Sequence, residues 1–416
     1  MVLFNNGVID PIVAITKINY SVGMLSKKIF IYPLLLSVWT LSSQVLVDSV
    51  SKAPVPYVEI FNNSKIGTIS DEQGRFSLEM FNPTDSVFFK HLTYLNIEGT
   101  ANEFYPKDTI FMGPQAIELN EVFINSFNAR DSVKKAVLLA KKNHLTSTYK
   151  TMGFYREYVK EEGDGVFLAE ASYVGSVENS KKGIDYQIKI LEGKKTENLS
   201  TLGINLEGGP QRLFEMGDII AQENLLFDKS KIDEFQFNLV AIKNKDGDKI
   251  YEINFEPITN NLENNLMGTI FLEAGNLSFV EFCAKRDPVK LRQLGKIVEA
   301  RTKDKKSPAP NFNLVQSELM LRFRKESGKQ ILSFIKIFNQ LMVPQKSKYF
   351  LIDINAATLI TSISTNKKQI KTNYNPEQSF GYELDKVPQG VSWRPDYTIY
   401  FGETEKKILN DITRKK

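Results

Sequence analysis

From residue 235 onward the chain repeats one pattern: an alternating apolar and polar run, a turn dipeptide, and a second alternating run. "FQFNLVAI" leads through "NKDGD" to "KIYEINFE", and "GTIFLEA" leads through Gly275-Asn276 to "LSFVEFCAK". "SELMLRFRK" leads through Ser327-Gly328 to "QILSFIKIF". Asp-Gly, Gly-Asn and Ser-Gly accept positive φ at little cost, so each reads as a hairpin turn. Three hairpins in series predict an antiparallel meander with one apolar face. That face must be covered by helices, or the sheet must curl around it. Between the second and third hairpins, "KDKKSPAPN" (303–311) reads as a charged loop.

Two segments can supply the cover. In "NARDSVKKAVLLAKKNHL" (128–145), Val133, Ala136, Val137 and Ala140 fall on one face at helical spacing. Asp131 lies near its start and Lys141 and Lys142 near its end, as the helix dipole favours. A second helix is predicted within residues 210–227, opened by Pro210. Leu213, Met216, Ile220 and Phe227 share its stripe.

The region before these helices is built differently. "VPYVEIF" (55–61), "KIGTIS" (65–70), "GRFSLEM" (74–80), "DSVFFKH" (85–91), "TYLNIEG" (93–99), "DTIFM" (108–112) and "LNEVFI" (119–124) are short strands with turn signals between them. That spacing predicts a small β-sandwich. Within it, Asp71 to Gly74 make a bend, and Phe76, Leu78 and Met80 alternate with Arg75, Ser77 and Glu79. The bend is read as structural, with Gly74 at positive φ.

These residues resemble a known family. Pro54 and Pro56 before the first strand, Gly67-Thr68 before "SDEQGRF", and the "ELNEVFI" exit look like the carboxypeptidase-like regulatory domain, over about 80 residues. The resemblance implies a transthyretin-like sandwich of the kind found in envelope proteins of certain Gram-negative bacteria, often ahead of outer-membrane barrels or other surface modules. Where the family often has Gly-Tyr, this chain has Thr93-Tyr94, which weakens the turn there. Farther on, Phe154, Tyr155, Arg156 and Glu157 look like a Phe-Tyr-Arg-Glu signature seen just after that domain in related envelope proteins. Arg156 and Glu157 are therefore the candidate functional residues. Adjacent strand residues point to opposite faces, so they do not easily act as a pair, and a structural role is favoured for Arg156. Glu161, Glu162 and Asp164 belong to a hairpin loop and read as solvated. The meander, in architecture only, resembles the curved, half-open sheet of periplasmic lipoprotein carriers. That likeness implies a concave face holding an acyl chain or a hydrophobic segment of a partner.

The compartment is read from "MLSKKIFIYPLLLSVWTLSSQ" (24–44). Lys27 and Lys28, an apolar run from Ile29 to Leu41, and Ser42-Ser43 have the layout of a secretory signal peptide. Cleavage is expected between Ser43 and Gln44. The run is too short to remain as a comfortable span. Residues 1–23 read as an extension ahead of a start at Met24. The expected mature chain is exported, periplasmic or outer-membrane-associated, and without a transmembrane span.

Several chemistries are not expected. The net charge of +4 over 416 residues makes no strong field for nucleic acid. Cys283 stands alone, which excludes a disulfide framework and a cysteine zinc site, and it reads as a small buried hydrophobe. The two histidines, His91 and His144, lack His-x-x-Glu or His-x-x-x-His neighbours, so a zinc carboxypeptidase centre is not expected. His91 is read as a strand residue facing a partner and His144 as a helix C-terminal residue favoured by the dipole. No nucleophile elbow, phosphate loop or dinucleotide fingerprint occurs. No catalytic, metal or cofactor residue is assigned.

The expected fold class is mainly β: a small transthyretin-like β-sandwich at 45–125, then an α+β domain at 126–390 with two helices and a large antiparallel sheet, curved if the carrier likeness holds. A packing tail at 391–416 ends the chain. The expected function is that of a secreted, non-catalytic binding or assembly protein of the Gram-negative envelope. Its partner would be an envelope protein, a lipid or a glycan. The alternative is a hydrolase of unrecognised type acting on envelope polymers.

Overall fold

Alternation in the sequence becomes alternating burial along the strands. In a computed structural model, residues 44–63, 67–115, 127–145, 147–180, 183–198, 208–218, 232–245, 247–258, 266–294, 297–299, 311–345, 348–364, 370–388, 397–400 and 402–414 are described. The signal segment with Ser43, the "LNEVFI" exit, the 303–310 loop and the second half of the predicted 210–227 helix lie outside them.

The small strands come first: β1 (Gln44–Asp48), β2 (Glu59–Asn62), β3 (Gly67–Ile69), β4 (Arg75–Phe76), β5 (Ser86–Lys90), β6 (Ile97–Thr100) and β7 (Thr109–Met112), with a one-turn helix α1 (Ala101–Phe104). β4, β1 and β7 make one sheet, and β3, β2, β5 and β6 belong to another. The two enclose one core, with Leu46, Phe76, Ile110 and Met112 from the first and Ile60, Val87 and Phe89 from the second. The expected strand 74–80 is shorter than its alternation implied: pairing stops at Phe76, although Leu78 is still buried.

A long helix, α2 (Ala129–Asn143), leads into β8 (Tyr149–Glu161), β9 (Asp164–Ser180) and β10 (Gly183–Glu197). α3 (Pro210–Gly217) precedes β11 (Phe235–Lys245), β12 (Asp248–Pro257), β13 (Leu266–Glu273) and β14 (Phe279–Arg286). After α4 (Pro288–Leu294) come β15 (Ile297–Glu299), β16 (Asn311–Glu326), β17 (Lys329–Gln345) and β18 (Lys348–Ser364). The chain then runs through α5 (Phe380–Leu384), β19 (Tyr397–Ile399) and α6 (Glu403–Arg414). The fold is mainly β. Its largest sheet has 11 strands in the order β10-β9-β8-β18-β17-β16-β14-β13-β12-β11, with β15 beside β16, and its pairings are antiparallel.

The predicted hairpins are β11/β12, β13/β14 and β16/β17. Ser327 and Gly328 take φ of 49° and 78°, as a tight hairpin requires. Gly275 and Asn276 lie within the β13/β14 turn, but its positive φ of 58° falls on Leu277, whose N–H closes the turn onto the Glu273 carbonyl at 2.8 Å.

One face of the wide sheet is apolar and covered. Val133, Ala136 and Ala140 of α2 and Leu213 and Phe214 of α3 share its core with Tyr155, Tyr173, Phe255, Phe282, Leu321 and Ile335. Tyr374, Phe380 and Leu384 extend the cover. Edge strand β10 is closed by side chains of the same segment: Asn373 Oδ1 accepts from the Ile190 N–H at 2.8 Å, and Thr372 Oγ1 accepts from the Ile188 N–H at 3.2 Å. Edge groups so occupied cannot template another strand. Residues Ser42–Lys416 form one compact unit. Among the described residues, no helix is long and apolar enough to cross a membrane.

Candidate ligand cleft on the polar face of the wide sheet

Period two puts every second residue of a strand on the face opposite its neighbours. In β16, Leu321 and Phe323 enter the apolar core, so Arg322 and Arg324 stand on the other face. The small sheets and the C-terminal tail pack on that face, and charge-bearing residues mediate the packing.

Strand register places Glu281 opposite Arg322, and Arg322 Nε donates to Glu281 Oε2 at 2.7 Å. Arg322 Nη1 donates to the Tyr57 carbonyl in the small-sheet region. Tyr57 has φ of 56°, an uncommon conformation for a bulky residue, and its ring lies 6.1 Å from Phe334. Lys336 reaches both Tyr57 Oη and the Glu72 carboxylate. The bend Asp71–Gly74 is thus part of a docking contact. Asp71 Oδ1 accepts from the Gln73 and Arg75 N–H groups at 2.9 and 2.8 Å, which shapes the bend around Gly74 at φ 70°.

Register likewise opposes Arg156 to Glu170 and Glu170 to Lys194. Arg156 lies 2.6 Å from Glu170 and 3.3 Å from Glu405, and donates to the carbonyls of Tyr400 and Ile399 at 2.7 and 2.8 Å. Burial pushes the Glu170 carboxyl upward, but Arg156 and Lys194 outweigh it and hold the pKa below the ordinary value. Arg156 therefore clamps the tail to the sheet.

Glu157 faces the apolar side with Tyr155, whose hydroxyl donates to it. The Gly209 N–H donates to Tyr155 Oη at 3.1 Å, and Phe380 lies edge-on to the Tyr155 ring. Desolvation raises the Glu157 carboxyl to about 7, against the hydrogen bond from Tyr155. Arg156 and Glu157 are thus separated by the sheet itself. Gln44 is buried in β1, where its Nε2 donates to the carbonyls of Phe104 and Lys107 at 2.6 and 2.7 Å.

Between the small sheets and the polar face lies a cleft of about 480 Å³. Ile60, Leu92, Ile250, Val280 and Leu359 supply apolar lining, and Lys90, His91, Lys245, Arg322, Arg324 and Lys325 supply cationic or N–H groups. Glu59, Asp248, Glu273, Glu281 and Glu326 line it as well. Among these carboxylates, Glu281 pairs with Arg322, and Lys325 lies 3.2 Å from Glu273 and 3.9 Å from Asp248. Arg324 Nη1 donates to the Ile360 carbonyl at 2.9 Å. Arg322 Nη2 and Arg324 Nε are buried with no protein acceptor. A second opening of about 410 Å³, lined by Pro56, Cys283, Met320 and Phe338, lies farther along the same face.

Both histidine readings change. His91 sits just past β5, its Nδ1 accepts from the Thr93 N–H at 3.2 Å, and its ring packs on Tyr94. Burial, followed by the charges of Arg322, Lys245 and Lys243, holds its pKa well below the ordinary value. A neutral ring accepting at Nδ1 carries its hydrogen on Nε2. His144 ends α2 but is buried beside Phe279 and Phe323, and burial lowers its pKa to about 3. Uncharged, it makes no charge–dipole contribution. Cys283 is half-buried and bonded to Glu281 at 3.4 Å, with burial pushing the thiol pKa up, so it is not a plain core residue. Among the described residues, no three His, Cys, Asp or Glu side chains are grouped to hold a metal ion.

Arg322 and Arg324 were not singled out from sequence. Their signal is "LRFR": two guanidinium groups on one face of a strand whose other face is core.

No family model matches the chain, and no curated protein matches it. Among solved structures it is similar to a DUF1329 family protein from Desulfovibrio piger, at 12% identity over 58% of this chain and 95% of that one, with a TM-score of 0.27. It is also similar to a LolA superfamily protein from Nitrosomonas europaea, at 10% identity over 59% and 96%, with a TM-score of 0.23. The overlay is partial in both, and nothing about a ligand passes from either protein to this chain.

Proposed function

We propose that this chain is an exported, non-catalytic binding or assembly protein of the Gram-negative cell envelope, and that its ligand occupies the cleft between the small sheets and the wide sheet. The supporting observation is the cleft's lining: an apolar wall beside Arg322 and Arg324, each of which keeps a guanidinium N–H with no protein acceptor. Such a lining suits a small ligand with one polar end. The likeness of residues 45–125 to the carboxypeptidase-like regulatory domain and the signal-like segment at 24–43 support the compartment.

One observation favours the hydrolase reading. Glu157, with its carboxyl raised to about 7 beside a tyrosine hydroxyl, has the character of a general acid or base. It lines neither of the two openings described on the opposite face. The test is twofold. Protein recovered from envelope extract should release a stoichiometric bound molecule on denaturation, read by mass spectrometry. Screened against peptide, ester and glycan substrates, with and without zinc, it should give no turnover. Turnover that copurifies with the protein and vanishes in Glu157→Gln would overturn the binding reading.

A further inference from the structure

What sets the cleft's two arginines apart is a guanidinium N–H without a protein acceptor, since Arg322 itself has Glu281 at 2.7 Å. Arg156 and Lys243 each have a carboxylate within 2.7 Å, and Lys336 is paired with Glu72. Arg322 spends Nε on Glu281 and Nη1 on Tyr57, yet it is only 6% exposed and its Nη2 has no protein acceptor. Among the described residues, Arg324 has no carboxylate at ion-pair distance, and its buried Nε also has no protein acceptor. Glu59 and Glu326 are near enough to be felt by Arg324 but do not bond to it. A buried donor left without an acceptor is costly, more so when the group is charged, so such groups normally have a partner. Arg322 and Arg324 line an open cleft whose size, about 480 Å³, falls in the range of small-molecule sites.

The arginines are two apart on β16 and so on one side of the strand. Guanidinium donors match an oxyanion in charge and in the spacing of its acceptors. Apolar side chains continue from there: Leu92, Ile250 and Val280 belong with Phe271 to one cluster, and Leu359 also lines the cleft. Two chemistries therefore meet in one cleft.

We infer that the cleft takes an amphiphile with a single oxyanionic head, the head held by the guanidinium groups of Arg324 and Arg322 and the chain lying along Leu92, Ile250, Val280 and Leu359. This deepens the binding function proposed above and rests on it. It also places the ligand on the face opposite α2 and α3, so the apolar core beneath those helices need not open. Both carboxylate and phosphate heads satisfy the chemistry.

The test uses the purified protein and five probes below their micelle concentrations: decanoate, decyl phosphate, decanol, decyltrimethylammonium and inorganic phosphate. Calorimetry or native mass spectrometry should show saturable binding of decanoate or decyl phosphate, and their ratio identifies the head. Decanol, decyltrimethylammonium and inorganic phosphate should each bind at least about tenfold more weakly, the factor that one charged hydrogen bond supplies. Arg324→Gln, checked for unchanged circular dichroism and melting, should lose about tenfold or more for the anionic amphiphile and nothing for decanol. Leu359→Trp, which fills the cleft from its lining, should abolish binding of every probe.

Equal affinity for decanol and decanoate would overturn the inference, as would inorganic phosphate binding as tightly as decyl phosphate. Undiminished anion binding by Arg324→Gln would also overturn it. If an envelope-derived ligand is lost with Leu359→Trp but kept by Arg324→Gln, the cleft reading stands and the oxyanion inference fails. If neither variant affects that ligand, both fail.

Discussion

Gly74 shows how one residue can be read twice. Its φ of 70° is costly for a residue with a side chain, and a Cβ there would lie 2.6 Å from the Leu46 carbonyl oxygen. Gly74→Val should therefore cost about 1–3 kcal/mol or more from strain and overlap. Urea unfolding checks this, and a variant that melts like wild type but loses ligand would reassign the bend to a site. Glu157 makes a pH-dependent prediction. Its folded pKa of about 7 lies above the ordinary 4.5, so the fold favours the protonated form. That contribution to stability is fully present below about pH 4.5 and is lost as pH rises through 7. Glu157→Gln removes the titration. The variant should gain about 1–3 kcal/mol on wild type at pH 8, with the gap closing by pH 4.5. A difference that does not vary with pH would contradict the burial of this carboxyl.

Among the elements, the C-terminal helix α6 is the one whose position most depends on a single side chain. Ile408 and Ile412 pack on Leu168, and a Cβ at Gly165 would lie 2.6 Å from Ile408 Cα, so helix and strand approach closely there. Arg156 adds the polar half of the attachment through Glu405 and two carbonyls. Removing one partner from a buried ion cluster leaves uncompensated charge, and Arg156→Ala should cost about 3–5 kcal/mol. The expected signature is local: faster amide exchange across Glu403–Arg414, while β11 to β14 remain protected. Uniform loss of protection would mean that Arg156 supports the whole sheet and not the tail.

At the scale of the whole molecule, the chain's end returns to its beginning. β19 pairs in parallel with β3, and the small sheets meet the wide sheet through Arg322 with Tyr57 and Lys336 with Glu72. These ties should make unfolding cooperative, giving one calorimetric transition. Deleting residues 396–416 removes β19 and α6 together and should split the transition in two. Two transitions in the intact protein would show that the small sheets fold independently of the wide one.

What the amino-acid order determined by itself is local. Hairpin dipeptides between alternating runs dictated the β11–β14 and β16–β17 pairings, and 3.6-residue spacing dictated α2, because a buried face needs only short-range periodicity to be visible. The pairing of β18 with β8 was less legible, since the two strands are distant in sequence. The same limit explains the cleft. Arg322 and Arg324 read as ordinary solvated cations until the small sheets cover them, and Glu157 becomes titratable near neutrality only when Tyr155 and residues 208–211 close over it. Burial of a charge arises from long-range packing, which no spacing along the chain records, so the tertiary structure alone decided which polar groups lost their water.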